Sequence, residues 1–222
     1  MIVSAIIMAA GSGRRFGEQK QFKQLKGVAL YYHSLRQFLI CKEIYEIILV
    51  VPQVRVKKTQ NELTNIKTTK KIIVTAGGKK RQESVKKGIL RTSNITELVC
   101  IHDGARPFVS EDLIKNSIYP CFNNDGAIIA LPNYDTLKVC VEGHVKKTID
   151  RKNVWRAQTP QTFWKMKLLD AFAYVEKNEL CITDEASIME AFGFQISVVH
   201  GHYNNFKITS PMDWERAENI IL

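Results

Sequence analysis

The stretch VSAIIMAAGSGRRFGEQKQFKQL, residues 3–25, decides the fold. It opens on an apolar run from Val3 to Ala10, interrupted only by Ser4 and short enough for a strand covered on both faces. The run stops at Gly11-Ser12-Gly13. The cations Arg14, Arg15, Lys20, Lys23 and Lys26 follow, opposed only by Glu18. A glycine turn leaving a buried strand presents backbone N–H groups in a concave loop, which favours anions. Arginine and lysine side chains add full charges that suit phosphate oxygens. The stretch reads as a polyphosphate cradle at the carboxyl end of a first strand.

Two commoner cradles are excluded. Glycines at 11, 13 and 17 leave Phe16 where the dinucleotide fingerprint needs glycine or alanine, and no acid between Leu30 and Gln37 offers to hold a ribose. A Walker A loop would need G-K-[ST], which is absent. A solvated basic turn would explain a lone glycine pair. Two arginines directly behind the turn, and Lys20 soon after, favour the cradle.

Strands and helices alternate beyond this loop. Ala29 to Leu39 has helical spacing, Ile44 to Val51 reads as a buried strand, Val54 to Leu63 as a helix and Lys71 to Val74 as a strand. Ala76-Gly77-Gly78 is a second strand-to-glycine transition, leading through Lys79, Lys80 and Arg81 to a helix from Ser84 to Leu90. Ser84 serves there as an N-cap or as a ligand contact. A fourth strand, Leu98 to Ile101, runs into His102-Asp103-Gly104-Ala105-Arg106-Pro107. Open α/β sheets place their sites at such strand ends. Asp103 is suited to a hydroxyl or a magnesium shell and Arg106 to a phosphate; alternatively the two form a structural pair. His102 reads as a packed residue. Gly126 to Leu131 is a fifth strand. The alternation implies a Rossmann-like, mostly parallel sheet with helices on both faces.

The pattern breaks at about 133–155, where two β-rich pieces, Asp135 to Val141 and Val145 to Ile149, meet at Glu142-Gly143-His144. A lone hairpin is marginal, so this inserted arm is expected to pack on a second copy of the chain. Trp155 to Phe163 is unusually polar and precedes a helix from about Trp164 to Val175. Thr183-Asp184-Glu185 starts another helix, to Phe192. Gln195 to Val199 is the last strand, and a helix runs from Pro211 to Leu222. Lys207, isolated among apolar and amide residues, is a snorkelling surface lysine or an anion ligand. With no repeats or linkers, residues 1–222 read as one domain with an arm.

Composition bounds the function. The chain has 222 residues, 45% hydrophobic and 24% charged, as ordinary soluble domains do. No apolar run reaches membrane-spanning length, and no cleavable signal opens the chain. Five scattered cysteines without a C-x-x-C pair argue against zinc and disulfides and for a reducing cytoplasm. A net charge of +10 suits nucleic acid or an anionic small substrate. The cations gather at strand ends rather than along one stripe, and no aromatic stacking platform is visible, which disfavours nucleic acid.

The segments AAGSGRRFG, KQ at 20–21, GGKKRQES, HDGARPF, DT at 135–136, DR at 150–151, QTPQTF, TDEA and NFKIT together resemble the 2-C-methyl-D-erythritol 4-phosphate cytidylyltransferase family, in order and over nearly the whole chain. Gln19 stands where the family usually has proline, and Gly104 where alanine or serine is more usual. The resemblance implies a CTP-dependent cytidylyltransferase of non-mevalonate isoprenoid synthesis. It implies that Ala9, Ala10, Gly77, Gly78 and Ser84 recognise cytosine and ribose. Gly11, Ser12, Gly13, Arg14, Arg15 and Lys20 would hold the triphosphate, with Mg2+ carried mainly by CTP and Asp103 a candidate ligand. Asp103, Arg106, Thr159, Thr183 and Lys207 would border the sugar phosphate, and a partner's arm would bring Thr136 and Arg151. Arg15, Lys20, Arg151 and Lys207 would be the catalytic cations. A ribitol 5-phosphate cytidylyltransferase of the same fold is the alternative.

Overall fold

The computed structural model describes residues 1–13, 16–180 and 182–221. Arg14 and Arg15, expected in the cradle, lie outside them. Strand β1 (Val3–Met8) is wholly buried. The extended run ends two residues short of Ala10, and the loop is followed by a 3-10 turn at Lys20–Phe22 and a two-stranded ribbon, β2 (Gln24–Leu25) and β3 (Val28–Ala29). Then come α1 (Leu30–Ile40), β4 (Ile44–Val51), α2 (Val56–Leu63), β5 (Lys71–Ala76), α3 (Arg81–Ile89), β6 (Leu98–Asp103), α4 (Glu111–Ile118) and β7 (Gly126–Pro132). The arm strands β8 (Leu137–Val141) and β9 (His144–Ile149) lead to β10 (Trp155–Trp164), α5 (Lys165–Lys177), α6 (Glu185–Phe192), β11 (Ile196–His200) and α7 (Pro211–Ile220).

The main sheet has seven strands in the order β11-β7-β10-β6-β1-β4-β5. β1 lies parallel to both β4 and β6, while β10 is antiparallel to β6 and to β7. The pleat of β1 explains why its sequence is apolar apart from Ser4. Ala5 and Ile7 face a core with Leu35 and Phe38 of α1 and Ile114 of α4. Ile6 and Met8 face a second core with Val85 and Ile89 of α3, Phe172 of α5 and Met189 of α6. A strand covered on both sides cannot alternate apolar with polar. Among the described residues no helix is long and apolar enough to cross a membrane.

Three expectations change. The polar stretch from Trp155 to Phe163 is a strand inside the sheet, because its polar side chains find partners. Thr162 Oγ1 lies 2.8 Å from Ser117 Oγ, and Gln161 Nε2 donates to Asp184 Oδ2 at 2.9 Å. Helix α4, absent from the sequence reading, is capped by Ser110, whose Oγ accepts from the Leu113 N–H at 3.2 Å. The third concerns Ser84. Helix α3 begins three residues earlier, with Lys80 at the N-cap, so Ser84 lies inside the helix.

The arm is a hairpin with Val141 opposite His144. Glu142 and Gly143 both have positive φ, +50° and +80°, the geometry of the turn that matches strand twist in two-residue hairpins. Every residue of β9 is exposed.

Candidate functional site

A cavity of about 530 Å³ lies at the carboxyl ends of β1, β5 and β6. It brings together Ala10, Gly11, Ser12, Gly13 and Lys20 from the first loop, Gly78 from the second, Ser84 from α3, and Asp103 and Lys207. Gly13 has φ +72°, and a Cβ there would stand 1.7 Å from the Glu18 carbonyl oxygen, so the loop can close on itself only with glycine. Ala9 and Gly77 lie behind the lining. Their N–H groups donate to the Val50 and Val51 carbonyls at 2.7 and 2.8 Å, which fixes the roots of both glycine loops on β4. A Cβ on Gly77 would meet Ala10 Cβ at 2.5 Å and Ser84 Oγ at 2.8 Å, so glycine is required where the loops touch. The Ser84 hydroxyl accepts from the Gly78 N–H at 2.9 Å and donates to the Lys80 carbonyl at 3.1 Å. Its structural task is to shape the second loop.

Asp103 is the electrostatic centre. Lys207 Nζ stands 2.8 Å from Asp103 Oδ2, Arg81 Nη2 3.4 Å from Oδ1, and Arg106 Nε 3.9 Å from Oδ2. Burial pushes this carboxyl up, but Lys207, Arg81 and Arg106 outweigh it and hold it far below the usual carboxylate range. Arg81 also pairs through Nη1 with Oε1 of Glu185, which is fully buried. Burial opposes the Arg81 charge, and Glu185 and Asp103 overcome that penalty. Arg106 donates from Nη1 to the Asn205 carbonyl at 2.8 Å and from Nη2 to the Ala157 carbonyl at 3.4 Å. Its guanidinium ties three chain segments together.

Beneath Asp103 runs one directed chain of hydrogen bonds. His102 Nε2 faces the Arg106 carbonyl at 3.2 Å, so that nitrogen carries the proton. Nδ1 must then accept, and it takes the Thr159 hydroxyl proton at 3.0 Å. The Thr159 oxygen accepts from the Asp103 N–H at 3.0 Å. Thr159 is thus buried under the site and positions Asp103. Burial lowers the His102 pKa to about 4, so it is a neutral prop and not a base at neutral pH. Burial likewise pushes the Cys41, Cys100 and Cys121 thiols up to about 12, 11 and 12, away from thiolate chemistry.

Other expected residues stand apart from the lining. Thr183 is exposed just before α6, its N–H donating to Ser187 Oγ at 3.2 Å. Thr136 and Arg151 are exposed on the arm, where Arg151 Nη1 donates to the Tyr134 carbonyl at 2.5 Å. Four polar lining residues were not picked out from sequence: Gln21, Lys79, Lys80 and Arg81. Gln21 is 7% exposed, and its Nε2 holds the Gly11 carbonyl at 3.4 Å. Its Oε1 has no hydrogen-bond partner among the described residues. All four sit inside the quoted motifs KQ and GGKKRQES, so the signal lay one to three residues away from the positions chosen.

The cavity is built to hold a polyanion. Lys20, Lys79, Lys80, Arg81 and Lys207 face it, against Asp103 as the one acidic side chain among its described lining residues. The family model for 2-C-methyl-D-erythritol 4-phosphate cytidylyltransferase matches residues 3–222. The enzyme of that name from Clostridioides difficile strain 630 is 36% identical over 220 residues, 98% of this chain and 93% of the relative. Its namesake from Aquifex aeolicus is 38% identical over 218 residues, 98% and 97% of the two chains. The crystal structure of 4-diphosphocytidyl-2C-methyl-D-erythritol synthase from Anaerococcus prevotii superposes with a TM-score of 0.87 at 32% identity, covering 99% of this chain and 98% of that one. The chain belongs to the 2-C-methyl-D-erythritol 4-phosphate cytidylyltransferase family.

Proposed function

We propose that this cavity transfers CMP from CTP to 2-C-methyl-D-erythritol 4-phosphate in isoprenoid precursor synthesis, giving the 4-diphosphocytidyl product and pyrophosphate. The observation that carries the reading is the cationic cavity at the ends of β1, β5 and β6, within a chain of this family. A phosphate monoester is already anionic at neutral pH and needs no base. One of its oxygens attacks the α-phosphorus of CTP in line, the new P–O bond forms, and the bond to the β-phosphate oxygen breaks. The obstacle is the meeting of two anions, so positioning and cationic stabilisation supply the catalysis.

Lys20, only 6% exposed at the mouth of the glycine loop, takes the α-phosphate and the leaving group together with Arg15. Lys207 takes the attacking phosphate. Ala9, Ala10, Gly77, Gly78 and Ser84 frame the nucleoside, and Gly11 to Arg14 the triphosphate. Thr183 borders the acceptor. Asp103, an ionised hard-oxygen donor facing the cavity, fits a Mg2+ ion bound chiefly to CTP. Such an ion would neutralise part of the triphosphate charge.

The reading includes a homodimer. Tyr134, Val141 and Val145 are 64%, 50% and 63% exposed on and beside the hairpin. Thr136 and Arg151 then act in the partner's cavity, and residues 1–222 form one cytidylyltransferase unit with its arm. Pyrophosphate release from CTP and Mg2+ tests the activity, with methylerythritol 4-phosphate and ribitol 5-phosphate offered separately. Release with the first acceptor alone is expected. Release with ribitol 5-phosphate alone moves the protein to pentitol chemistry, and silence with both defeats the reading.

A further inference from the structure

Phe16, the residue that breaks the dinucleotide fingerprint, has a partner at the other end of the chain. Its ring centroid lies 5.6 Å from that of Trp214 in α7, the planes inclined at 52°. Lys23 Nζ stands over both rings, 5.4 Å from Phe16 and 4.9 Å from Trp214, and is itself held 3.1 Å from Glu18. Lys20 Nζ lies 5.4 Å from the Phe16 centroid. Inclined aromatic pairs and lysines over ring faces attract beyond simple burial.

Trp214 is anchored rather than loose. It is 6% exposed, and its Nε1–H donates to Glu218 Oε1 at 2.9 Å. Helix α7 starts from a reciprocal cap between Ser210 and Asp213. Trp214 belongs to a third core that also holds Leu25, Ala105 and Ile208, with Phe16 packed against it. Ile208 follows Lys207 directly, and its N–H donates to the Ala105 carbonyl at 2.9 Å. One small core therefore sets the phosphate loop, the Asp103 loop and the Lys207 segment against each other.

We propose that Phe16 and Trp214 latch the phosphate loop in its ligand-ready form, so that Trp214 is a positioning residue for the triphosphate, acting through Phe16. This rests on the reading of the cavity as a CTP site. A loop without its latch spends less time in the competent form, and apparent affinity falls by that fraction. Loss of the ring contacts should raise KM for CTP about tenfold and leave kcat much less affected, because the chemistry proceeds once the loop is filled.

The test compares KM and kcat for Phe16→Leu, Trp214→Leu and Trp214→Phe. It adds emission from Trp214 alone in a Trp155→Phe/Trp164→Phe protein. Both leucine variants should show the raised KM, Trp214→Phe should regain most of the loss, and CTP should shift Trp214 emission unless Phe16 is leucine. A parental KM in Phe16→Leu overturns the latch, as does a rise confined to Trp214→Leu or emission indifferent to saturating CTP. Should Trp214→Leu fail to fold, Phe16→Leu and the emission titration decide the matter. Parent protein without turnover would defeat the CTP reading instead, and titrating Trp214 emission with inorganic tripolyphosphate would then judge the latch by itself.

Discussion

Replacing Arg81 by methionine should destabilise the fold more than a surface substitution does, and removing its partner as well should restore much of the loss. Glu185 is fully buried, its Oε1 paired with Arg81, and its Oε2 has no hydrogen-bond partner among the described residues. Breaking a buried pair from one side strands a charge and costs ~3–5 kcal/mol. The Arg81 side chain is 30% exposed, so water screens part of this and the expected loss is about 2–4 kcal/mol. For a chain of this size that lowers Tm by roughly 5–15 °C. Thermal and urea unfolding of Arg81→Met, Glu185→Gln and the double variant measure it. The stranded carboxyl in Arg81→Met is pushed up by burial, so the unfolded chain binds fewer protons than the folded one between the two pKa values. The deficit should therefore shrink as pH falls towards about 4 and widen as pH rises. A loss below ~1 kcal/mol, or a double variant whose losses simply add, would refute the coupling.

Lys20→Ala should lose turnover far more than CTP affinity, a transition-state loss of roughly 2–4 kcal/mol; equal losses in both would count against its role. Thr159→Val leaves the Asp103 N–H and His102 Nδ1 without their shared partner and should cost about 1–3 kcal/mol in urea unfolding. His102, with its pKa lowered to about 4 by burial, should show no imidazole titration by NMR between about pH 8 and 5. Since the unfolded histidine binds protons near pH ~6.5, this group's contribution to stability is complete above that value and is lost as pH falls from there towards about 4. Mixing inactive Lys20→Ala with inactive Arg151→Ala should restore turnover, because in the mixed dimer one site has an intact loop and an intact visiting arm. No recovery after subunit exchange would reject the arm in trans.

Where local chemistry alone dictates structure, the sequence was enough. The nearly continuous apolar runs of β1 and β4, broken by Ser4 and Glu46, report strands covered on both faces, and Glu142-Gly143 reports the hairpin through a turn that needs positive φ. Glycine pairs at 11–13 and 77–78 marked the two loops that border the cavity. The failures have a common cause. Strand β10 read only as an unusually polar stretch because Gln161 and Thr162 are satisfied by the cap of α6 and by α4, partners no local window contains. Ser84 looked like a cap because the start of α3 at Arg81 carries no capping side chain. The Arg81–Glu185 pair spans 104 positions, and nothing in the charge pattern near either residue announces the other.

The small third core has a consequence for synthesis. It joins Leu25 and Leu30 to Trp214 and Ala217, with the first glycine loop packed on it through Phe16. A chain is made in one direction and its domains generally fold as units as they emerge. Every strand of the main sheet precedes α7, so a nascent chain can pair β1 with β4 and β6 while the floor under its phosphate loop is still unmade. Ribosomes that stall before Pro211 would release a protein with its whole sheet and an unsupported site.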